Sequence, residues 1–227
     1  MTQEDALFYA KRNLVDSIWK EALIEGIDVT FPDTNEIIEG RAVAGISVDG
    51  IIIINNLKHG WQFITSAIDA EVDLNFVRQV NMLVGRDGAV NYPGELRLYE
   101  VKMGGTQWKP ELPDYDQAKT AIAKIASEPM ALDRAFNMFA YICRAQLFSD
   151  GNKRTAQLVA NKMLIRDGQG ILAIPDSEKA LFGNLLIDFY ETGCNKALSA
   201  FLYEKCLDGH DSPSLVASDM PPLTEGY

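Results

Sequence analysis

Histidine is nearly missing from this chain: His59 and His210 are the only two in 227 residues. Cysteine is scarce as well, and Cys143, Cys194 and Cys206 follow no metal-binding spacing. A His/Cys metal centre and a disulfide framework are therefore both excluded, and the thiols are expected to be reduced, with Cys143 in a core. Long apolar runs are absent. The longest, "GIIII" at 50–54, is far too short to span a bilayer. The opening "MTQEDALFYAKRN" lacks the basic start and apolar stretch of a secretory leader, so the chain reads as cytoplasmic, with no membrane partner. Positive charge is in deficit. With 21 Lys and Arg against 32 Asp and Glu, the net charge is −11. No nucleic-acid partner is expected, because neutralising a phosphate backbone needs a basic face. A small nucleotide needs only a local positive pocket and is not excluded.

What is present is a chain with 47% hydrophobic residues, long enough to bury roughly 70–75% of its unfolded surface. A single domain is expected over 1–208, followed by a flexible Pro- and Ser-rich tail at 209–227. The periodicity is mostly helical. Leu7, Ala10, Leu14 and Ile18 form the stripe of one N-terminal helix, followed by a turn-rich stretch, "FPDTNEIIEGR". Helices are predicted in 47–68, 71–86 and the second half of 110–128. Leu132, Phe136, Phe139 and Cys143 predict another, and three residues further along that stripe lies Gln146. Ala156, Val159, Ala160 and Met163 predict the next helix, ended by Gly168. The run at 175–193 offers Asp176 as a cap and Leu181, Leu185 and Phe189 as a stripe, and "NKALSAFLYEKCL" is the last helix. One segment breaks the pattern. "LRLYEVKMGGTQW" at 96–108 sets two short β-prone runs about Gly104-Gly105, a hairpin signal.

Between the two C-terminal stripes stands "QLFSDGNKR" at 146–154. A helix ends near Leu147 and another begins near Asn152. The first N–H groups of a helix lack internal partners and carry partial positive charge, so they form an anion site. Gly151 allows close approach, while Lys153 and Arg154 add charge, Arg154 with a fork for two phosphate oxygens. Asp150 makes sense there as the ligand of a divalent cation bridging phosphates. The same residues also make an ordinary helix–helix turn, and spacing alone does not choose between the two readings.

The stretch resembles the core motif of the Fic/Doc (Fido) family, His-Pro-Phe-x-(Asp/Glu)-Gly-Asn-(Gly/Lys)-Arg-x-x-Arg. Phe148, Asp150, Gly151, Asn152, Lys153 and Arg154 match it in order. The resemblance implies an all-α, Fic-like helical bundle with a small β-hairpin flap, which "GELRLYEVKMGGTQWKPELP" at 94–113 resembles. It implies transfer of AMP from ATP to a hydroxyl of a target protein, with Mg²⁺ and ATP or another nucleoside triphosphate as cofactors. By the same carry-over, Asp150 holds Mg²⁺, and Gly151, Asn152, Lys153, Arg154 and Gln157 face the nucleotide. Phe148 anchors the loop. Val101, Lys102, Met103, Gly104, Gly105 and Thr106 form the flap that positions the target protein. Within the N-terminal part, 1–45, "NEIIEG" at 35–40 resembles the family's inhibitory segment, with Asn35, Glu39 and Gly40 in its key places. A homodimer is left open.

Two departures bear on chemistry. Gln146 stands where the motif has its histidine base, and an amide cannot take up a proton near neutral pH. Gln157 stands where the second arginine would pair with the inhibitory glutamate. Lys153 is nearer the Doc branch, whose members phosphorylate. The expectations are therefore a nucleotidyltransferase of degenerate site, with an inactive nucleotide- or protein-binding regulator and a Doc-like kinase as alternatives. A glutamine introduced to silence an active enzyme would look the same in the sequence.

Overall fold

The structure is a computed structural model and describes residues 1–210. Except for its first two residues, the expected tail lies outside the described residues.

Ten α-helices carry the described fold: α1 (Gln3–Arg12), α2 (Leu14–Ile24), α3 (Phe31–Ile38), α4 (Val48–Ser66), α5 (Leu74–Val84), α6 (Tyr115–Ala126), α7 (Ala131–Ala145), α8 (Asn152–Arg166), α9 (Lys179–Thr192) and α10 (Lys196–Phe201). The all-α class implied by the family resemblance, and consistent with the mostly helical periodicity, is the one observed. No helix among the described residues is long and apolar enough to cross a membrane.

The centre of the bundle is α8. Thirteen of its fifteen residues are buried, polar ones included, so it is a helix enclosed on all sides rather than an amphipathic surface helix. The predicted stripe of Ala156, Val159, Ala160 and Met163 is only part of what it buries. α1, α4, α5 and α7 pack around it. Its buried polar groups draw on both backbone and side-chain partners, as burial requires. Asn161 donates to the Leu172 carbonyl (2.9 Å) and accepts from the Leu172 amide (2.6 Å).

Three local expectations are corrected. The N-terminal stripe is split into α1 and α2, because the Asn13 amide donates to the Tyr9 carbonyl (2.9 Å) and closes α1 there. The "turn-rich" 31–38 is a helix: Thr30 caps it, and Pro32 sits in its first turn, where the missing N–H costs nothing. In α9 the buried face is Phe182, Leu186, Phe189 and Tyr190, while Leu181 is exposed. A 3₁₀ turn at Asp176–Glu178 precedes that helix.

The small antiparallel sheet is present but lies elsewhere in the chain. β1 (Ile171–Leu172) pairs with β2 (Leu207–Asp208) in the register Ile171↔Asp208 and Leu172↔Leu207. The 94–110 segment keeps its turn at Gly104-Gly105 but forms no ladder. Its polar groups are bonded outward instead. The Arg97 amide donates to the Leu147 carbonyl (3.0 Å), Thr106 Oγ1 to Glu191 (2.8 Å), and Pro110 has no N–H to offer a partner strand.

Candidate active site

The turn between α7 and α8 is built on two left-handed residues. Gln146 closes α7 with φ 46° and ψ 55°, and Gly151 precedes α8 with φ 74°. A Cβ on Gly151 would lie 3.2 Å from Val84 Cγ2 and 3.3 Å from Asn81 Nδ2, so the position needs glycine for its conformation and for space. Phe148 is fully buried between them. Asn152 holds the loop from inside: its Oδ1 accepts from the Phe148 amide (3.0 Å) and its Nδ2 donates to the Phe148 carbonyl (2.9 Å). Asn81 of α5 holds it from outside, donating to the Asp150 carbonyl and to Thr155 Oγ1 (3.1 Å each) while accepting from the Gly94 amide (2.8 Å).

Gln146 does not continue the helix, so its side chain does not follow the α7 stripe. Nε2 donates back to the Cys143 carbonyl (2.7 Å), and Oε1 accepts from Asn152 Nδ2 (3.2 Å). Neither histidine stands in for it: His59 lies within α4, and His210 packs edge-on against Tyr203.

α8 begins with no side-chain cap. Asp150 beside it is exposed; its Oδ1 accepts from the Gly151 amide (2.6 Å), and its Oδ2 lies 3.4 Å from Arg154 Nη2. The two motif cations meet an acid the sequence reading passed over, Glu25, just past the end of α2. Glu25 Oε1 is 3.2 Å from Lys153 Nζ, and Oε2 is 3.0 Å from Arg154 Nε. Arg154 also donates to the Val84 carbonyl (3.2 Å) and is only 3% exposed. One turn before Glu25, Glu21 is buried and accepts from Trp61 Nε1 (3.1 Å). Burial pushes its carboxyl up to about 8, and the Glu25 charge adds to the rise against the Trp61 hydrogen bond. Glu21, Glu25, Lys153, Arg154 and Gln157 line one small pocket of about 10 Å³, room for about one water. Gln157 itself donates to the Leu172 carbonyl (3.5 Å).

Asn35, Glu39 and Gly40 belong to α3 and its end. Glu39 and Gly40 are exposed, and the ion pairs of Lys153 and Arg154 go to Glu25 and Asp150 instead. A signal for Glu25 was in the sequence: "EALIEG" at 21–26 ends in Glu-Gly just as "NEIIEG" does. Only packing tells the two apart.

The segment expected as a flap lies over the other side of the turn. Val101, Met103 and Thr106 are half-buried, whereas Lys102, Gly104 and Gly105 are exposed. Its far end is fixed by Trp108, stacked on Tyr190 (5.7 Å) beneath the Arg144 guanidinium (4.6 Å). Beyond Trp108 a cleft of about 890 Å³ opens between 108–114, α7 and the α9–α10 turn. Arg97, missed in the sequence, lies buried at the root of the segment.

Comparison with known proteins bears on this geometry. Residues 71–164 match the Fic/DOC family model. No curated protein matches the chain. Among solved structures, Fic-1 (residues 134–508) from C. elegans is similar with a TM-score of 0.75 at 17% identity, covering 86% of this chain. A Fic domain containing signaling protein from Bacteroides thetaiotaomicron VPI-5482 gives 0.68 at 17% identity, over 82% of this chain and 75% of its own. A Fic family protein from Desulfovibrio desulfuricans G20 gives 0.64 at 16% identity, over 85% of this chain and 61% of its own. This chain spans 62% of the length of the C. elegans structure. The Fic/DOC match over residues 71–164 thus lies within a fold similar to that of solved Fic domain proteins.

Proposed function

We propose that this chain binds a nucleoside triphosphate with Mg²⁺ at the 150–154 loop, in a site of the protein nucleotidyltransferase type that lacks its proton acceptor. The observation that carries this reading is the Glu25 carboxylate, held between Lys153 and Arg154 at 3.2 and 3.0 Å. A carboxylate there occupies the place of an anionic ligand, and a phosphate offers the same two cations more charge and a better match to the guanidinium fork. The uncapped amides of α8 lie beside it. Glu25 must swing out for phosphate to enter, since the cavity holds no more than about one water.

Mg²⁺ fits this reading as a companion of the nucleotide. Asp150 is exposed and supplies one carboxylate, the share Mg²⁺ takes when phosphates and water complete its shell. No cluster of three His, Cys, Asp or Glu stands ready for a resident metal among the described residues. The cation would supply charge neutralisation for the phosphates. The chain's own residues would hold the phosphates, through the loop amides, Lys153 and Arg154, and keep the loop rigid, through Phe148, Asn152 and Asn81. The target protein would lie along 101–106.

A second reading, binding without transfer, is favoured by Gln146, whose amide has no basic atom and is already spent on Cys143 and Asn152. Calorimetry with Mg-ATP, Mg-GTP, Mg-UTP and Mg-CTP tests the binding common to both readings, using the native chain and Glu25→Gly. Heat with at least one nucleotide, enlarged in Glu25→Gly, is expected; silence of both proteins with all four overturns the site. Label transfer by Gln146→His then separates the two readings.

A further inference from the structure

We propose that Arg97 is a positioning residue that sets the conformation of residue 146 and ties it to the 98–109 segment. Arg97 is 3% exposed, and its guanidinium donates its hydrogen bonds to neutral backbone carbonyls. Nε donates to the Gln146 carbonyl (2.6 Å), Nη1 to Tyr99 (2.8 Å), and Nη2 to Pro110 (3.3 Å) and Glu111. Its backbone N–H donates to the Leu147 carbonyl (3.0 Å). One planar group thereby joins three stretches of chain: the motif turn, the start of the flap segment and its end.

Burying a guanidinium without a carboxylate is costly, and burial holds its pKa below the usual arginine value. A loop closed only for stability needs no cation. What the cation adds is a strong hold on a carbonyl in an unusual place. Gln146 is left-handed at φ 46°, a conformation disfavoured for any residue with a Cβ. That twist takes its carbonyl off the α7 axis and onto Arg97, and it turns its side chain toward Asn152. Arg97 therefore decides where a side chain at position 146 points. Because the same guanidinium grips Tyr99, Pro110 and Glu111, it also sets the distance from that side chain to the segment over it. A lysine offers a point charge and no planar fork, so it cannot hold all of these carbonyls at once.

The consequence for reaction rests on the nucleotidyltransferase reading, but the placement itself does not, and the test separates them. The full chain is compared with Arg97→Lys, Gln146→Gly and the double variant in chemical unfolding. If Arg97 enforces the left-handed turn, glycine at 146 removes that need, and the loss of midpoint caused by Arg97→Lys is smaller in the Gln146→Gly background. NMR should show the Gln146 side-chain amide exchanging with solvent about tenfold faster in Arg97→Lys, with amide exchange raised across 98–109. Additive midpoint losses with an unchanged Gln146 amide would reduce Arg97 to loop closure and overturn the proposal. If Arg97→Lys does not fold, the native chain decides: the Arg97 Nε–H should exchange slowly and show through-hydrogen-bond coupling to the Gln146 carbonyl carbon, and a freely exchanging Nε–H overturns it. In a labelling-competent Gln146→His background, Arg97→Lys should lower kcat and leave KM for Mg-nucleotide unchanged. Failure of Gln146→His to label counts against the nucleotidyltransferase reading alone, and an unchanged kcat counts against Arg97.

Discussion

Two arginines bracket the motif turn, each 3% exposed, and they differ in the company they keep. The Arg97 guanidinium meets carbonyls. Arg154 meets two carboxylates, Glu25 and Asp150, and one carbonyl. Carbonyls are fixed by the backbone, so Arg97 is scaffold and nothing dissolved in water will displace its partners. Carboxylates on side chains can rotate away, and an incoming phosphate offers equal or greater charge. Burial is the same for both arginines; what separates them is the mobility and charge of their partners.

The largest effect should come from supplying what the Arg154 side lacks. Glu25→Gly with Gln146→His frees the cations and adds a group with pKa ~6.5, and labelling from α-labelled nucleotide should rise by roughly 10²–10⁴ over the native chain. Self-modification and lysate labelling report it. If the native chain already labels as fast, Gln146 is no defect.

On the scaffold side, Arg97→Met leaves four carbonyls, most of them part-buried, without their donor. A loss of about 3–4 kcal/mol in urea unfolding is expected. A loss below about 1 kcal/mol would erase the contrast with Arg154.

Glu21 sharpens the comparison through pH. Its folded pKa is raised from 4.5 to about 8, so the folded protein keeps a proton that the unfolded chain has released. Stability should therefore fall as pH rises from about 4.5 to about 8, with a slope of at most ~1.4 kcal/mol per pH unit, and level off above and below. Glu21→Gln should flatten that slope in denaturation series at pH 5, 6.5 and 8. An unchanged slope would mean that another group titrates.

Arg154→Ala should weaken Mg-nucleotide binding by about 1.5–3 kcal/mol by calorimetry, measured in the Glu25→Gly background. The smallest effect belongs to Glu39. Exposed at the end of α3, it should change stability and nucleotide affinity by less than about 0.5 kcal/mol on Glu39→Ala. A marked gain in affinity would return the inhibitory role to it.

Much of this was legible without coordinates. Most of the helices, and the turn at 146–151 with a glycine where the backbone is approached closely, follow from short-range rules: a 3.6-residue period and the orphan N–H groups of a helix start. Phe148 as a buried anchor comes only from the resemblance to the Fic/Doc motif. The 96–108 hairpin was misplaced because β-prone residues form a ladder only if they pair with each other. Here Arg97 draws the segment onto the motif turn, and that competitor stands 49 residues away in sequence at Gln146. Choosing Glu25 over Glu39 was likewise beyond the sequence. Both end a helix and both precede glycine, and Glu25 reaches Lys153 and Arg154 only because α2 packs near the start of α8. The sequence determined which groups are charged and where the chain turns. Which charge meets which depends on the packing of helices more than a hundred residues apart, because a buried ion is stable only beside its partner, and local pattern carries no record of that partner.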